Sequence, residues 1–232
     1  MYLKAAAYLY LAAGALFSQA QAGVNIGSTR VVYQGQEKEA NLSILNTGED
    51  NSPYLVQSWV SYFDGRDGTA DEFIITPPLF RLDARQQNIL RIISTGAQDL
   101  PSDKESLFLL NVKAIPAART DQGRQNVLQI ALKTTIKLFY RPAGLKGSLV
   151  EAVEKLSWSV EGGKLIVQNP SGFNVVVSEL LINDRASKDA PEVIMPGSTI
   201  DTNIKLNVGD SLQLSYINEY GSTVKAVVIR PH

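Results

Sequence analysis

The chain has 232 residues and nearly balanced charge, with 22 Lys and Arg against 23 Asp and Glu and a net charge of −1 at pH 7. This balance gives no electrostatic reason to expect nucleic acid or an anionic membrane surface as a partner. Cysteine is absent, which excludes thiol catalysis, cysteine-ligated metals and disulfides. The single histidine is His232, at the terminus, so acid–base catalysis or metal binding by histidine is not expected.

The first 22 residues have the pattern of a secretory signal peptide. Lys4 precedes an apolar stretch from Ala5 to Phe17, and Ala20-Gln21-Ala22 has the small-residue pattern of a cleavage site. The stretch is too short to cross a bilayer, which disfavours the alternative of an N-terminal anchor helix. We therefore expect export, a mature chain that begins at Gly23, and no membrane insertion.

Short alternating segments rich in β-branched residues follow, separated by Gly, Asn, Asp and Pro. They predict antiparallel strands rather than helices. About seven of them indicate a β-sandwich of the immunoglobulin type, in which Trp59 could occupy the core position usually filled by a cysteine pair. The predicted strands of this first domain are Val24–Tyr33, Glu39–Leu45, Tyr54–Phe63, Phe73–Thr76, Asn88–Ser94, Leu107–Ile115 and Val127–Tyr140.

The pattern breaks at residues 141–148 ("RPAGLKGS"), where one proline and two glycines indicate a hinge. A second β-rich set follows, and Gly162-Gly163 predicts a tight hairpin within it. The sequence thus predicts an all-β chain with an N-terminal domain over 23–142 and a C-terminal domain over 148–232. The predicted strands of the second domain are Leu156–Val160, Lys164–Gln168, Asn174–Ile182, Glu192–Met195, Thr199–Leu206, Ser211–Asn218 and Val224–Ile229.

The acidic loop "FDGRDGTADEF" (Phe63–Phe73) has two interpretations. Its carboxylates could bind calcium, because hard cations prefer several oxygen ligands. The spacing does not match an EF-hand and Asp-Gly pairs are common in turns, which favours a solvated hairpin tip. Nothing selects two of these acids as a glycosidase pair, and the nucleophile-elbow and phosphate-binding glycine motifs are absent. No metal, no cofactor and no enzymatic activity are predicted.

Tandem prolines separate two predicted strands in "TPPLF" (Thr76–Phe80). They force an extended path and permit a cis peptide bond. The segment is interpreted as a crossing of the chain from one sheet to the other.

The longest alternating segment is "NVLQIALKTTIKLFYRP", residues 126–142. One face carries apolar residues that begin with Leu128, Ile130 and Leu132, and the opposite face is mixed and carries three cations. Strands are usually about 5–6 residues long, and this pattern lasts more than twice that length. Alternation alone predicts a half-buried strand and does not explain its length.

Two cations lie among apolar residues of predicted strands, Arg30 in the first strand and Lys137 in the long one. One interpretation is that each side chain extends along an exposed face to keep its charge in water. The other is that the two charges form an anion-binding site. The residues by themselves leave both interpretations open.

The mature chain resembles the PapD-like periplasmic chaperones of the chaperone–usher pathway of pilus assembly. The resemblance implies two immunoglobulin-like β-sandwich domains in a boomerang arrangement with an interdomain cleft, and a chaperone without enzymatic activity. It covers essentially the whole mature chain, and "IKLFYRP" and "ESLF" are its most specific motifs. The matching segments are "TRVVYQGQEKEANLSILN", "YLVQSWV", "TPPLFRL", "ESLFLLNVKAIP", "NVLQIALKTTIKLFYRP" and "LSYINEYG".

The resemblance also implies roles for two groups of residues. Arg30 and Lys137 match the family's cleft cations, which anchor the C-terminal carboxylate of an unfolded pilus subunit. Leu128, Ile130 and Leu132 match the residues of the donor strand, which the chaperone lends to a subunit that lacks its own last strand. The next subunit then displaces that strand at the usher.

A third group matches the family's interdomain salt-bridge network: Glu105 in "ESLF", Arg141 in "FYRP" and Glu219 in "INEYG". Relatives usually have Asp at the third position, and the extra methylene of Glu changes the geometry there. The segment between Pro116 and Asn126 is slightly longer than in short-loop members but lacks the cysteine pair of long-loop members. Its sequence favours the short-loop class.

The predicted function is therefore to bind, fold and cap pilus (fimbrial) subunits in the periplasm and to deliver them to the outer-membrane usher. The donor strand is also expected to permit self-association of the chaperone when no client is bound. The alternative is a structural pilus subunit, which would share the sandwich fold but should lack a complete last strand. A secreted sugar-binding module or glycosidase is a third hypothesis, supported only by scattered acids and one tryptophan.

Overall fold

The computed structural model describes residues 23–48, 51–117, 129–207 and 209–229 and contains two β-sandwiches. The predicted all-β, two-domain fold is confirmed. The predicted signal peptide lies outside the described residues, and within them no helix is long and apolar enough to cross a bilayer. The strands of the first sandwich are β1 (Val24–Ile26), β2 (Arg30–Gln34), β3 (Ala40–Asn46), β4 (Tyr54–Tyr62), β5 (Phe73–Thr76), β6 (Leu79–Leu82), β7 (Gln87–Ser94), β8 (Ser106–Pro116) and β9 (Leu132–Arg141).

The first sandwich packs a four-stranded sheet, ordered β1-β3-β7-β5, against a five-stranded sheet, ordered β2-β9-β8-β4-β6. All pairs are antiparallel except β2 with β9, which is parallel. Fully buried Ile44, Leu90 and Ile92 from one sheet meet Leu110 and Leu138 from the other. A short 3₁₀ helix, Ala97–Asp99, follows β7.

The first predicted strand, Val24–Tyr33, is wrong as a single element, because the chain changes sheets at Gly27. The Gly27 N–H still donates to the Ser43 carbonyl, 2.8 Å away, at the end of the β1–β3 pair. The Ser28 hydroxyl then donates to the Arg30 carbonyl at 2.6 Å, which stabilises a local turn. The turn places β2 in the other sheet, beside β9.

The interpretation of "TPPLF" as a sheet crossing is confirmed. The Thr76–Pro77 bond is cis, β5 belongs to the four-stranded sheet, and β6, which was not predicted as a strand, lies at the edge of the five-stranded sheet. The predicted core role of Trp59 is wrong. Val56, Ser58 and Val60 are the buried residues of β4, and Trp59, on the opposite parity, is only partly buried.

A short helix that was not predicted, α1 (Leu149–Glu154), follows the hinge. The Ser148 hydroxyl accepts a hydrogen bond from the Glu151 N–H at 3.2 Å, as an N-cap does. Ser148-Leu-Val-Glu151 is the sequence pattern of a capping box, so the signal for a helix was present in the sequence.

The strands of the second sandwich are β10 (Ser157–Glu161), β11 (Lys164–Gln168), β12 (Val175–Ile182), β13 (Arg185–Ala186), β14 (Val193–Ile194), β15 (Thr199–Lys205), β16 (Leu212–Ile217) and β17 (Thr223–Ile229). They form a three-stranded sheet, β10-β11-β15, and a second sheet, β13-β12-β16-β17, in which β14 also pairs with β12. Gly162 and Gly163, at φ of 58° and 78°, form the β10–β11 turn, which confirms the predicted hairpin.

Candidate functional site

The two faces of β9 point toward different parts of the molecule. Ile136 and Leu138 lie in the core of the first sandwich. The alternate residue Phe139 is buried against Val176 and Val193 of the second sandwich. The C-terminal part of the mixed face, at Lys137, Phe139 and Arg141, therefore faces the other domain, which explains why this part is not uniformly polar.

Arg30 and Lys137 are direct neighbours in the parallel β2–β9 pair. Side chains at paired positions of adjacent strands emerge on the same face of the sheet. The two cations share the interdomain face with Phe139, and the guanidinium of Arg30 lies 5.6 Å from the centroid of that ring. The structure thus brings the two predicted cations together, at the point where β2 begins.

Arg30 is buried but incompletely paired. Only 8% of the residue is exposed, and its Nη1 donates to the Ile217 carbonyl of the second domain at 3.2 Å. Within the described ranges its Nε has no hydrogen-bond partner and its guanidinium has no acidic partner. Desolvation lowers the pKa of Arg30, yet arginine remains charged at neutral pH. A buried, incompletely paired cation favours an anionic ligand.

Lys137 pairs with an acid that was not predicted from the sequence. Its Nζ lies 2.5 Å from Oε1 of Glu192, which comes from the second domain. It also lies 6.0 Å from the centroid of the Phe63 ring. The Lys137 side chain is 19% exposed and that of Glu192 is 67% exposed, so the pair sits at the mouth of the cleft.

Arg141 contacts both Glu105 and Glu219, and the second of these pairs crosses the domain boundary. Glu105 Oε1 accepts from Arg141 Nε at 2.8 Å, and Arg141 Nη1 pairs with Glu219. The Arg141 guanidinium also lies 4.9 Å from the centroid of the Phe173 ring. A partly buried arginine that pairs with one carboxylate through Nε and with another through Nη1 holds both partners in a defined orientation. The longer Glu219 side chain reaches Arg141, so the departure from Asp does not break the contact.

The second domain holds Glu105 through a loop that was not predicted to have this role. Glu105 Oε2 accepts from the backbone N–H of Asn174 at 2.9 Å and from its side-chain amide at 3.3 Å. Buried Asn169 holds that loop by donating to the carbonyls of Phe173 at 2.8 Å and Ile194 at 3.0 Å. In the sequence, "NPSGFN" (169–174) shows only turn-forming composition, which does not reveal a long-range partner.

The N-terminal half of β9 has an open edge. β8 pairs with β9 along its length, from Leu132 to Tyr140. On the other side β2 pairs only from Lys137 to Arg141, and among the described residues no strand pairs with Leu132–Ile136 on that side. Unpaired backbone N–H and C=O groups at a sheet edge are a template for another strand.

Apolar side chains are exposed at the start of the open edge, at Leu132, and just before β9, at Ile130. Ile130 is 68% exposed and Leu132 is 49% exposed. They have the parity of Ile136, which is buried. Leu128, the third predicted residue of this set, lies outside the described residues. An exposed apolar row on an open edge is an aggregation hazard unless another chain covers it.

The acidic loop that follows β4 is solvent-exposed. The backbone N–H of Arg66, with help from its guanidinium, lowers the pKa of Asp64, whose carboxylate lies 2.9 Å from Arg66 Nε. Within the described ranges no group of three or more Asp, Glu or His side chains is placed to hold a metal ion.

Comparison with known proteins gives two family matches. Residues 23–146 match "Pili and flagellar-assembly chaperone, PapD N-terminal domain", and residues 151–227 match "Pili assembly chaperone PapD, C-terminal domain". The probable fimbrial chaperone LpfB of Escherichia coli O157:H7 is 42% identical over 207 residues, covering 88% of this chain and 87% of the relative. The chaperone protein FimC of E. coli K12 is 40% identical over 205 residues, covering 88% and 83%.

Solved structures agree with this assignment. The crystal structure of the E. coli chaperone DraB matches with a TM-score of 0.76 and 35% identity, covering 90% of this chain and 96% of that one. The structure of the Salmonella enterica SafA pilin in complex with the SafB chaperone matches with a TM-score of 0.77 and 31% identity, covering 91% and 97%. Two matched domains, an identity above 40% and the shared two-domain fold lead to one conclusion: the chain belongs to the PapD family of pilus-assembly chaperones.

Proposed function

We propose that this protein is a non-enzymatic periplasmic chaperone that binds, folds and caps pilus subunits by donor-strand complementation and delivers them to the outer-membrane usher. Relatives named as fimbrial chaperones, and a similar fold in a complex with a pilin, support this function over that of a structural pilus subunit. The signal-like segment at residues 1–22 supports export.

The open edge of β9 supplies the binding surface in this proposal. A subunit strand pairs with the free backbone groups of Leu132–Ile136, which gives affinity that depends little on sequence. Ile130 and Leu132 enter apolar pockets of the subunit, and the family resemblance assigns the same role to Leu128. Full burial of one such side chain is worth about 1.5–3 kcal/mol, so the row stabilises the complex and still allows exchange.

The position of the cations gives the incoming strand a direction. β2 begins at Arg30, so a strand on the open edge lies in line with β2 and ends against Arg30 and Lys137. A C-terminal carboxylate at that point pairs with both cations, which requires the strand to run parallel to β9, as β2 does. This junction, where the open edge of β9 meets the cation pair, is the observation that carries the proposal.

The network of Glu105, Arg141 and Glu219 has a different role. It lies beside Arg30 in the same interdomain cleft and links both domains. Its proposed role is to fix the angle between the domains and hence the width of the cleft around the client terminus.

Co-expression with a candidate pilus subunit in the periplasm tests the function. Arg30→Ala and Lys137→Ala should each reduce co-purification and protection of the subunit, because each removes one partner of the carboxylate. Lys133→Ala is the matched control, since Lys133 is an exposed cation on the same strand. Normal capture by both cleft variants would falsify the carboxylate anchor. N-terminal sequencing of the periplasmic protein should give Gly23.

A further inference from the structure

The acid paired with Lys137 is held by the second domain, independently of Lys137. Glu192 immediately precedes β14 (Val193–Ile194), and its carbonyl accepts the N–H of Val177 at 3.0 Å. Val193 is buried at the domain boundary. The backbone is therefore fixed, and only the exposed side chain of Glu192 extends across the cleft mouth to the ammonium group.

The two cations of the cleft are neutralised differently in the client-free chain. Lys137 already has a carboxylate partner, whereas Arg30 has only a backbone carbonyl and a ring face among the described residues. A terminal carboxylate that approaches both cations finds Arg30 available and Lys137 occupied. Glu192 and the client terminus both present a carboxylate to the ammonium group of Lys137.

We propose that Glu192 is a surrogate carboxylate: it occupies Lys137 while the chaperone is empty, and the terminal carboxylate of the client displaces it. This inference rests on the proposed function, because it assigns a competitor to the same anchor. The displaced side chain of Glu192 returns to water without leaving a buried charge, since two thirds of it is already exposed.

The expected effect of Glu192 on client affinity follows from the solvent exposure of its ion pair with Lys137. Ion pairs with one well-solvated partner are worth little, typically 0.2–1 kcal/mol. Removal of the competing charge should therefore tighten client binding by about 1.4-fold to fivefold. A residue that instead positions Lys137 for the client would have the opposite effect, so the sign of the change separates the two roles.

The experiment uses the full mature chaperone and a peptide with the last 15 or so residues of the subunit that co-purifies with it. The peptide is made twice, with a free C-terminal carboxylate and as the C-terminal amide, and its Kd is measured by titration calorimetry. Glu192→Gln keeps the size of the side chain and removes its charge. Glu179→Gln is the matched control, because Glu179 is an exposed acid on β12 with no ion pair among the described residues.

Glu192→Gln should bind the free-acid peptide more tightly than wild type by the stated factor and bind the amide peptide unchanged. Glu179→Gln should change neither affinity. In a Lys137→Ala background the Glu192 substitution should lose its effect, because the site of competition is gone.

Two results overturn the inference in distinguishable ways. If Glu192→Gln leaves free-acid binding unchanged or weakens it while Lys137→Ala still weakens it, the surrogate role is wrong and the anchor stands. If Lys137→Ala binds the free acid as tightly as wild type, the anchor is wrong and the surrogate role falls with it.

Discussion

Glu105 and Arg141 form the most buried ion pair among the described residues, with Oε1 to Nε at 2.8 Å and side chains 2% and 17% exposed. The other carboxylate oxygen of Glu105 accepts the N–H of Asn174 in the second domain. One carboxylate thus contacts a strand of the first domain and a loop of the second. Its loss leaves the buried N–H of Asn174 without its partner and removes one of the two acidic partners of Arg141.

Glu105→Ala should lower the free energy of unfolding by about 3 kcal/mol, near the low end for a broken buried pair, because Arg141 keeps its contact with Glu219. Urea unfolding followed by tryptophan fluorescence measures the loss. Glu161→Ala is the control, since Glu161 is exposed at the end of β10 and should change stability by less than about 0.5 kcal/mol. Equal effects of the two substitutions would show that the network does not stabilise the fold.

Gly221 lets the two domains approach closely. It has φ of 86°, and a Cβ there would overlap the hydroxyl of Thr29 from the first domain. Gly221→Ala should therefore be destabilising both through backbone strain of about 1–2 kcal/mol and through the overlap, and it should change the angle between the domains.

Gly197→Ala separates the two effects, because Gly197 has φ of 68° and open space around its Cα. Gly197→Ala should lose stability through strain alone, as measured by thermal unfolding. Its small-angle scattering curve should match that of the wild type. Adding Thr29→Ala to Gly221→Ala should recover part of the excess loss. If Gly197→Ala and Gly221→Ala lose the same thermal stability, the contact between the domains at Gly221 does not stabilise the protein.

Ile130→Asp should abolish subunit capture, because burial of a charge in an apolar pocket is unfavourable. The free chaperone should remain folded, because the side chain is exposed before the client binds. Co-purification and circular dichroism measure the two properties. Ala131→Asp introduces the same charge at the neighbouring exposed position of opposite parity and should retain more capture. An unfolded Ile130→Asp protein would mean that Ile130 belongs to the core of the chaperone itself.

The open edge also predicts the behaviour of the empty chaperone. Without a client, β9 edges of two copies should pair, so sedimentation velocity should show concentration-dependent self-association. Ile130→Asp should shift the protein to monomer, whereas Lys133→Ala should not. A wild-type protein that remains monomeric at its highest soluble concentration would contradict this expectation.

Alternation in the sequence predicts most strands and the apolar row of β9, because side-chain period two is a local property. It could not show that one half of that row is core and the other half is exposed. That division depends on where β2 stops pairing with β9, and pairing between residues more than a hundred positions apart leaves no local signal. The single predicted strand over Val24–Tyr33 is wrong for the same reason, since sheet membership is decided by partners.

The residues of the candidate site also differ in whether the sequence could identify them. Arg30, Lys137, Glu105, Arg141 and Glu219 were selected by resemblance, and the structure shows which of them are in contact. Glu192 and Asn174 were not selected, because a lone acid or amide at the start of a predicted strand has nothing local to distinguish it. Their importance comes from what the second domain places opposite the first.

The fixed position of the cation pair has a consequence for client length. Leu132 lies five residues before Lys137, about 17 Å along an extended strand, and Ile130 lies two residues further away. A client whose last carboxylate is fixed at Arg30 must present its apolar residues at matching distances from its own end. If one residue were added or removed between the apolar residues of the client and its C-terminus, those apolar side chains would turn to the opposite face of the strand. In the proposed complex, the distance of the client's apolar residues from its C-terminal carboxylate therefore sets the register in which the client can bind.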